Sequence, residues 1–297
     1  MKKTVLVTGG NGQLARCIKD EISKISEPSN FNWLFEPKET LDICNYDQVK
    51  SYCEDNGVDI IVNCAAYTNV DKAETEGKEM AYKINADGPK VLANVVNDLE
   101  LEQLIHISTN YIYMGGMNLP YREVARPIPV NEYGNSKLTG DENVLRILGV
   151  SEHNYMIIYT SWLYSEYGNS NFMKKIIKKI DDNEIIKCVD DQRGTPTYAR
   201  KLARFIINVI TTDKHYDSGR YNYSDKGEAT WYEFACKIAE LYGKDVKIRK
   251  TRTPVDAVPK RPKYAVLSRE KTEKTFGDVF VPWETGLEEC MKNLKNI

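Results

Sequence analysis

Near the start of the chain, residues 4–15 have the sequence TVLVTGGNGQLA. The apolar run predicts a short buried strand, and apolar positions at helical spacing from Ala15 to Ile25 predict a helix. The glycines therefore lie at a strand-to-helix turn, where the free N–H groups of the helix start can face an anion. Gly9 allows the tight turn, Gly12 lets the backbone approach a pyrophosphate, and Ala15 is small enough for helix and strand to pack.

A dinucleotide is the ligand that this turn favours, although a glycine-rich turn without a ligand would show the same local pattern. Its position directly after the first strand strengthens the prediction of a dinucleotide site. The residues predicted to bind the cofactor at this turn are Gly9, Asn11, Gly12, Gln13 and Leu14.

The adenosine end of the cofactor is predicted beyond the second strand, which ends at Glu36. A carboxylate about 20 residues after the glycines typically bonds the ribose hydroxyls and favours NADH. Lys38 could instead meet the 2′-phosphate of NADPH, and either charge could simply be solvated in a loop. Asp42 and Ile43 are predicted to lie at the adenine, with the N-cap of a helix from Tyr46 as the alternative for Asp42. NADH and NADPH both remain candidate cofactors.

Two later strands end in residues that suit a ligand. The first is followed by Ala65, Ala66 and Tyr67, and small residues at the carboxyl end of a strand leave room for a flat ligand beside the backbone. The second ends in Ser108 and Thr109, at the edge where open α/β sheets bind ligands. These strand ends are therefore predicted to border the nicotinamide.

Tyr133 and Lys137 have a spacing that puts both side chains on one helix face. An unperturbed phenol has a pKa of about 10, and a nearby ammonium lowers that pKa toward the working range. The same spacing occurs at Tyr46 and Lys50, but that pair precedes the third strand. Because Tyr133 follows the strand that ends at Thr109, we predict that these two hydroxyls converge over a nicotinamide.

Composition narrows the class of protein. With 297 residues the chain can form one large or two modest domains. A net charge of −2 argues against a nucleic-acid partner, and no apolar stretch approaches the roughly 18 residues of a membrane span. Met1 to Lys3 lead straight into the first strand, so no signal peptide is expected. Seven scattered cysteines without a Cys-x-x-Cys motif indicate reduced thiols in a cytoplasmic protein, with neither a disulfide framework nor a zinc site.

Strand and helix patterns alternate as far as Trp162, which predicts an α/β fold with a doubly wound parallel sheet of the Rossmann type. We assign residues 1–163 to an NAD(P)-binding domain. Residues 164–297 are assigned mainly to a smaller substrate-binding α/β part, with segments around 185–225 expected to return to the Rossmann sheet. The helix predicted from Asn171 to Ile180 is strongly basic; a solvated face is the simplest interpretation, and a rim that steers anions is the alternative.

Longer stretches accompany these motifs: NCAAYTNVDKAE at 63–74, STNYIY at 108–113, TSWLY at 160–164, DQRGTPT at 191–197, WYEFA at 231–235 and RP at 261–262. Together they make the chain resemble the extended short-chain dehydrogenase/reductases and, within them, the dTDP-4-dehydrorhamnose reductase family. The resemblance runs nearly end to end. The glycines and the Tyr/Lys pair identify only the superfamily, whereas residues 67–74 and 192–197 are more specific to this group.

The resemblance implies reduction of dTDP-4-dehydro-L-rhamnose to dTDP-L-rhamnose by hydride from NADPH or NADH. Tyr133 would donate the proton to the C4 oxygen, Lys137 would hold the ribose and lower the phenol pKa, and Thr109 would polarise the carbonyl. The family usually has Asp where this chain has Asn110, which removes a charge beside the sugar. The implied substrate-binding residues are Thr109, Asn110, Trp162, Asn171 and Arg261, the last of them beside the dTDP diphosphate.

Two other functions stay open at the level of sequence. One is a different sugar-nucleotide reductase or an epimerase. The other is a non-catalytic regulatory subunit, like the beta subunit of methionine adenosyltransferase, against which the intact Thr109, Tyr133 and Lys137 count. The sequence also leaves open whether the chain forms a homodimer and whether it needs a divalent cation.

Overall fold

The computed structural model describes residues 2–25, 30–151, 153–168, 171–212 and 216–295. Within these residues the strands are β1 (Lys3–Thr8), β2 (Phe31–Glu36), β3 (Val58–Asn63), β4 (Gln103–Thr109), β5 (Asn154–Thr160), β6 (Leu163–Tyr164), β7 (Ile186–Val189), β8 (Arg193–Gly194), β9 (Thr197–Tyr198), β10 (Gly219–Tyr223), β11 (Ala229–Thr230) and β12 (Ile248–Thr251).

The helices that connect these strands in the described part of the chain are α1 (Gln13–Ser23), α2 (Tyr46–Asn56), α3 (Val70–Ala73), α4 (Lys78–Tyr82), α5 (Gly88–Asp98), α6 (Glu132–Leu148), α7 (Phe172–Asp181), α8 (Ala199–Thr211), α9 (Trp231–Tyr242), α10 (Glu270–Phe276) and α11 (Trp283–Leu294). A π-helical turn, Lys83–Asp87, lies between α4 and α5, and a 3-10 turn, Asn110–Ile112, follows β4 directly.

The central sheet has six strands in the order β2-β1-β3-β4-β5-β10, and every neighbouring pair is parallel. Because β2 and β3 lie on opposite sides of β1, the strand order reverses beside β1. Open α/β sheets bind ligands at such a switch point, outside the carboxyl ends of the strands. The predicted doubly wound parallel sheet of the Rossmann type is confirmed.

Both faces of the sheet are buried. Successive side chains of a strand point to opposite faces: Val5 packs with Ile18 of α1 and with α8 on one face, whereas Leu6 packs with Val96 of α5 and with α2 and α6 on the other. Helices on both faces require near-continuous apolar strands, which is why residues 4–7 and 58–62 contain few polar side chains. The sheet is thus a rigid base for the loops at its carboxyl edge.

The later part of the chain adds a third apolar cluster, formed mainly by α7, α9 and α11. Three small pairings accompany it: β7 with β12 and β6 with β9 are parallel, and β8 with β11 is antiparallel. Of the segments around 185–225, β10 lies beside β5 at the edge of the central sheet, whereas β7 pairs with β12. The division of the chain at residue 163 stays a prediction.

None of the helices in the described ranges has both the length and the apolar character that crossing a bilayer would require.

Candidate active site

A cavity of about 470 Å³ lies at the carboxyl edge of the sheet, where the ends of β4 and β5 meet α6 and the later part of the chain. Many of its lining residues are ones that the sequence singled out. Those predicted residues are Gly12, Gln13, Leu14, Ala66, Thr109, Asn110, Tyr133, Lys137, Trp162 and Asn171.

A second cavity, of about 250 Å³, shares Gly12, Cys64 and Ala66 with the first and extends toward the end of β2. The predicted cofactor residues that line it are Gly9, Asn11, Gly12, Asp42, Ile43, Ala65 and Ala66. The turn after β1 therefore separates two adjoining spaces. Three predicted site residues, Glu36, Tyr67 and Arg261, line neither cavity.

The turn itself is compact. The N–H of Gly12 donates to the carbonyl of Gly9 at 2.7 Å, and Gly9 adopts a φ of +66°. A Cβ at Gly9 would lie 2.8 Å from the Cα of Ala65, so no larger residue fits there without moving the end of β3. Gly12 caps α1 without a side chain, which leaves the first N–H groups of the helix open toward the cavities.

The side chain of Glu36 does not line the second cavity and takes part in two local hydrogen bonds. Its carboxylate accepts hydrogen bonds from the hydroxyl of Tyr52, at 2.7 Å, and from that of Thr40. The exposed Lys38, two residues further on, lines the cavity instead. The contact of Glu36 with the ribose stays a prediction; in the structure each oxygen of its carboxylate accepts one local hydrogen bond.

Asp42 is free of the capping role that the sequence left open, because Asn45 caps α2 by accepting from the N–H of Gln48. One carboxylate oxygen of Asp42 accepts from the N–H of Cys44 at 3.0 Å, and the residue lines the second cavity. Tyr67, in contrast, is held through its backbone by Asn85, with hydrogen bonds of 2.8 Å and 3.0 Å in both directions.

Thr109, Tyr133 and Lys137 come together at the first cavity. The Thr109 side chain acts on the ionisation of the Tyr133 phenol, and the Lys137 ammonium donates a hydrogen bond to the carbonyl of Ile107 at 2.7 Å. Asn131 is the N-cap of α6 and accepts a hydrogen bond from the N–H of Gly134, which lies about one helical turn before Lys137. The predicted convergence of these side chains is present in the structure.

The electrostatic environment of this cluster is set by burial. Burial raises the pKa of the Tyr133 phenol to about 12, and the Thr109 side chain acts in the opposite direction. Burial lowers the pKa of the Lys137 ammonium to about 8, which the negative charge of Asp141 opposes. The phenol is consequently protonated at neutral pH and available as an acid, and most of the lysine is charged.

A buried polar chain supports the cluster from behind. Asp141 is fully buried; its carboxylate accepts from the hydroxyl of Ser108 at 2.7 Å and lies 3.4 Å from the imidazole of His106. Burial, together with Lys137, lowers the pKa of His106 to about 4, so the imidazole is neutral at pH 7. Sequence reasoning missed Asp141, although it lies one turn beyond Lys137 on the same face of α6.

The far wall of the cavity is aromatic and polar. Trp162 and Trp231 both line it, with ring centroids 3.5 Å apart and planes at 11°. Asn171 caps α7, and its amide donates to the carbonyl of Ser165 at 2.7 Å. Trp231 belongs to one of the motifs quoted above, but the sequence did not assign it to the site.

Asn110 is buried at the end of β4 and lines the same cavity. Its amide nitrogen donates to the Ser161 hydroxyl at 3.1 Å and to the Ala265 carbonyl at 2.8 Å. A carboxylate could not make these two donations, so the amide suits this position as it is built. Asn110 thereby ties the end of β4 to the segment that follows Arg261.

These residues fit a dinucleotide. Two adjoining cavities lie on either side of a helix N-terminus, and the close approach of Gly9 to Ala65 excludes a side chain. The buried Lys137 lines the first of these cavities and supplies a positive charge there. No comparable site for a metal ion is present in the described ranges, because no group of three or more His, Cys, Asp or Glu side chains there is placed to hold one.

Comparison with known proteins agrees with this geometry. The family described as the RmlD substrate binding domain matches residues 1–296. A dTDP-4-dehydrorhamnose reductase of Sinorhizobium fredii is 34% identical over 94% of this chain and 93% of its own. A dTDP-4-keto-6-deoxy-D-glucose reductase of Streptomyces niveus is 32% identical over 96% and 95%.

A solved structure shows the same likeness in three dimensions. The dTDP-4-dehydrorhamnose reductase of Bacillus anthracis, in complex with NADP, superposes with a TM-score of 0.89 at 35% identity and covers 99% of this chain and 100% of its own. The resemblance stated from the sequence, and with it the prediction of an oxidoreductase, is confirmed.

Proposed function

The chain belongs to the family of the RmlD substrate binding domain, and on that premise we propose that it reduces dTDP-4-dehydro-L-rhamnose to dTDP-L-rhamnose with NADPH. The observation that carries the proposal is the meeting of Thr109, Tyr133 and Lys137 in one cavity of about 470 Å³. The names of the relatives support a dTDP-linked sugar, and the NADP in the Bacillus anthracis structure supports the phosphorylated cofactor.

The cofactor residues divide between the two cavities. The open N–H groups after Gly12 would hold the pyrophosphate, Lys38 would meet the 2′-phosphate, and Asp42 would border the adenine. Lys137 would hold the nicotinamide ribose. When bound, the cofactor supplies a hydride to the carbonyl carbon of the sugar.

The protein supplies the proton. The Tyr133 hydroxyl would donate its proton to the C4 oxygen of the sugar while the Thr109 hydroxyl hydrogen-bonds to that oxygen and polarises the carbonyl. The positive charge of Lys137 would stabilise the phenolate left behind, which lowers the barrier to proton donation. Addition of one hydride and one proton to the C=O bond gives the alcohol.

The sugar would lie against Trp162, Asn110 and Asn171, which line the same cavity as Tyr133. Arg261 lies at the edge of this region and would bind the diphosphate, for which a guanidinium is well suited. The amide at Asn110 is neutral, so the repulsion that an Asp would exert on an anionic substrate is absent.

The test follows nicotinamide absorbance with purified protein, the dTDP-4-keto sugar and either NADPH or NADH. Net oxidation of NADPH with formation of dTDP-L-rhamnose, identified by NMR, is the expected result. An epimerase would convert the sugar without net oxidation of added cofactor, and a non-catalytic subunit would show neither change. Either result would refute the proposal.

A second candidate substrate is dTDP-4-keto-6-deoxy-D-glucose. The Streptomyces niveus relative is named as a reductase of this sugar, and its identity to this chain is similar to that of the Sinorhizobium fredii relative. The two keto sugars differ in ring stereochemistry, so kcat/KM measured with both under the same conditions separates the candidates. A higher kcat/KM for the D-gluco compound would replace the first candidate with the second.

A further inference from the structure

Trp162 occupies a narrow slot in an unusual backbone conformation. Its φ is +44°, in the left-handed region that bulky residues rarely adopt. On one side of the indole is Trp231, stacked at a centroid distance of 3.5 Å. On the other side is Gly194, where an added Cβ would lie 2.7 Å from the Cε2 and 2.9 Å from the Nε1 of Trp162. The indole is thus held between one glycine and one ring.

The two walls of the slot are tied to each other by the sheet. Strands β8 and β11 pair antiparallel, with Gly194 opposite Ala229, and Trp231 follows β11 as the first residue of α9. Thr230 fixes that start through a capping box with Glu233. The spacing between the glycine and the stacked ring is therefore set by backbone hydrogen bonds.

Trp231 is also fixed from behind. Its indole N–H donates to the side-chain oxygen of Gln192 at 3.1 Å, and the Phe172 ring packs against it at 4.5 Å. The amide of Gln192 donates in turn to the Thr253 hydroxyl at 2.9 Å. These two contacts restrain Trp231 against movement if Trp162 is pushed toward it.

A left-handed, tightly packed tryptophan at a cavity is maintained only where its surroundings determine it, and such strain is characteristic of binding sites. Both indoles line the cavity that holds Tyr133, whereas Gly194 lies behind Trp162 and does not line it. A shift of the Trp162 ring would therefore change the shape of the sugar end of the cavity and leave the turn that faces the pyrophosphate untouched.

We propose that Gly194 and Trp231 are positioning residues that set the affinity for the sugar, by clamping Trp162 as a fixed wall of the cavity. The identity of the sugar rests on the proposed function, but the clamp itself is a property of three residues. Neither Gly194 nor Trp231 needs to touch the reacting atoms for this role.

The test is a double-mutant cycle on Gly194 and Trp162. Gly194→Ala should raise the KM for the sugar nucleotide about tenfold, within the range of coupling expected between residues in contact, and leave the Kd for NADPH near the wild-type value. In a Trp162→Ala background the same glycine substitution should have little further effect, because the alanine lacks all three ring atoms that the new Cβ would meet. Equal effects in both backgrounds would overturn the clamp.

A readout independent of turnover accompanies the cycle. Two indoles stacked this closely couple electronically and give an exciton couplet in circular dichroism, which Trp231→Phe should abolish and Gly194→Ala should reduce. Gly116→Ala is the matched control, since an added Cβ there would meet only side-chain atoms of Met114, at 3.5 Å or more. Should Gly194→Ala prove unstable, Trp231→Phe tests the same stack without adding an atom to the slot.

The outcomes separate the two proposals. A couplet that responds as expected in a protein inactive toward every dTDP-keto sugar would refute the proposed function and support the clamp. A couplet that is absent in the wild type, or unaffected by Gly194→Ala and Trp231→Phe, would refute the clamp whatever the activity.

Discussion

Arg261 donates a hydrogen bond from Nη2 to the Oδ1 of Asp71 at 2.7 Å, across 190 residues of chain. Asp71 lies in α3, and Val70 beside it lines the larger cavity. Arg261 also interacts electrostatically with Tyr111, another residue of the cavity wall. The pair thus holds the loop before Pro262 against the first half of the chain, at the rim where the substrate diphosphate would enter.

Replacement of Arg261 tests whether this rim binds the diphosphate. Hydrogen bonds to charged groups contribute about 1.5–3 kcal/mol, so Arg261→Ala should raise the KM for the sugar nucleotide by about 10- to 100-fold. The Kd for NADPH, from fluorescence titration, should stay near the wild-type value because Arg261 does not line the second cavity, which is assigned to the cofactor.

Asp71→Asn is the matched control for this arginine. It removes the carboxylate that competes with a phosphate for Arg261, so the KM for the sugar nucleotide should fall or stay unchanged. If both substitutions raise this KM alike, the pair only holds the loop in place, and the predicted contact of Arg261 with the diphosphate is wrong.

Tyr133→Phe tests the proton donor. Loss of a general acid usually costs about 10²- to 10⁴-fold, so kcat should fall by at least about 100-fold while the KM for NADPH barely changes. Tyr46→Phe is the matched control, because Tyr46 has the same spacing to a lysine but bonds to Asp98 and lines neither cavity. A large loss in Tyr46→Phe with little in Tyr133→Phe would show that the wrong pair was chosen.

The contrast between these two tyrosines also shows what the sequence can and cannot establish. Chain order was enough to predict that Tyr133 lies in one cavity with Thr109, because the strand ending at Thr109 precedes it and parallel strands align their ends. The glycine turn was predictable for a different reason: the glycines and the strand and helix on either side of them are contiguous in the sequence. Asp141 carried a local signal too, one turn after Lys137, but nothing in the sequence says that a carboxylate is buried.

Other parts of the site depend on contacts that no local pattern encodes. Glu36 stands at the expected distance from the glycines, yet Tyr52 reaches it from α2 and holds its carboxylate. The slot around Trp162 needs Gly194 of β8 and Trp231, the first residue of α9, which lie far apart in the sequence. Such pairings appear only once the strands are in register.

Cofactor choice is predicted to depend on Lys38. Lys38→Ala should raise the KM for NADPH more than that for NADH, because only NADPH carries the 2′-phosphate that the ammonium would meet. Glu36→Gln should leave the ratio of the two kcat/KM values nearly unchanged, since its side chain is already bonded to Tyr52 and Thr40. If Glu36→Gln instead raised kcat/KM for NADPH relative to that for NADH, the result would indicate that Glu36 contacts the ribose.

Stability is predicted to depend on a buried ion pair between Arg200 and Glu166. Both side chains are almost fully buried, and Arg200 also bonds to Glu21 at 2.7 Å. Arg200→Met should lower the free energy of unfolding by about 3–5 kcal/mol, because it leaves the buried Glu166 carboxylate with the Tyr198 hydroxyl but without a cationic partner. The exposed pair Lys3–Glu102 is the control, and Lys3→Met should cost at most about 1 kcal/mol in the same urea titration. Equal small losses in both variants would contradict the prediction.

The pH dependence of kcat/KM is predicted to follow Lys137. Burial has lowered its pKa to about 8, and the charged form is the one that stabilises a phenolate at Tyr133. Activity should therefore be full below this pKa and fall as the pH rises through it. Asp141→Asn removes the negative charge that opposes the effect of burial, so the alkaline limb should move to lower pH.

Ser108→Ala is the control for Asp141→Asn. It removes the 2.7 Å hydrogen bond to the carboxylate but keeps its charge, so it should shift the alkaline limb far less. Both variants disturb the same buried chain, and only the charge differs between them. If Ser108→Ala moves the limb as far as Asp141→Asn does, packing and not the charge of Asp141 governs the ionisation of Lys137.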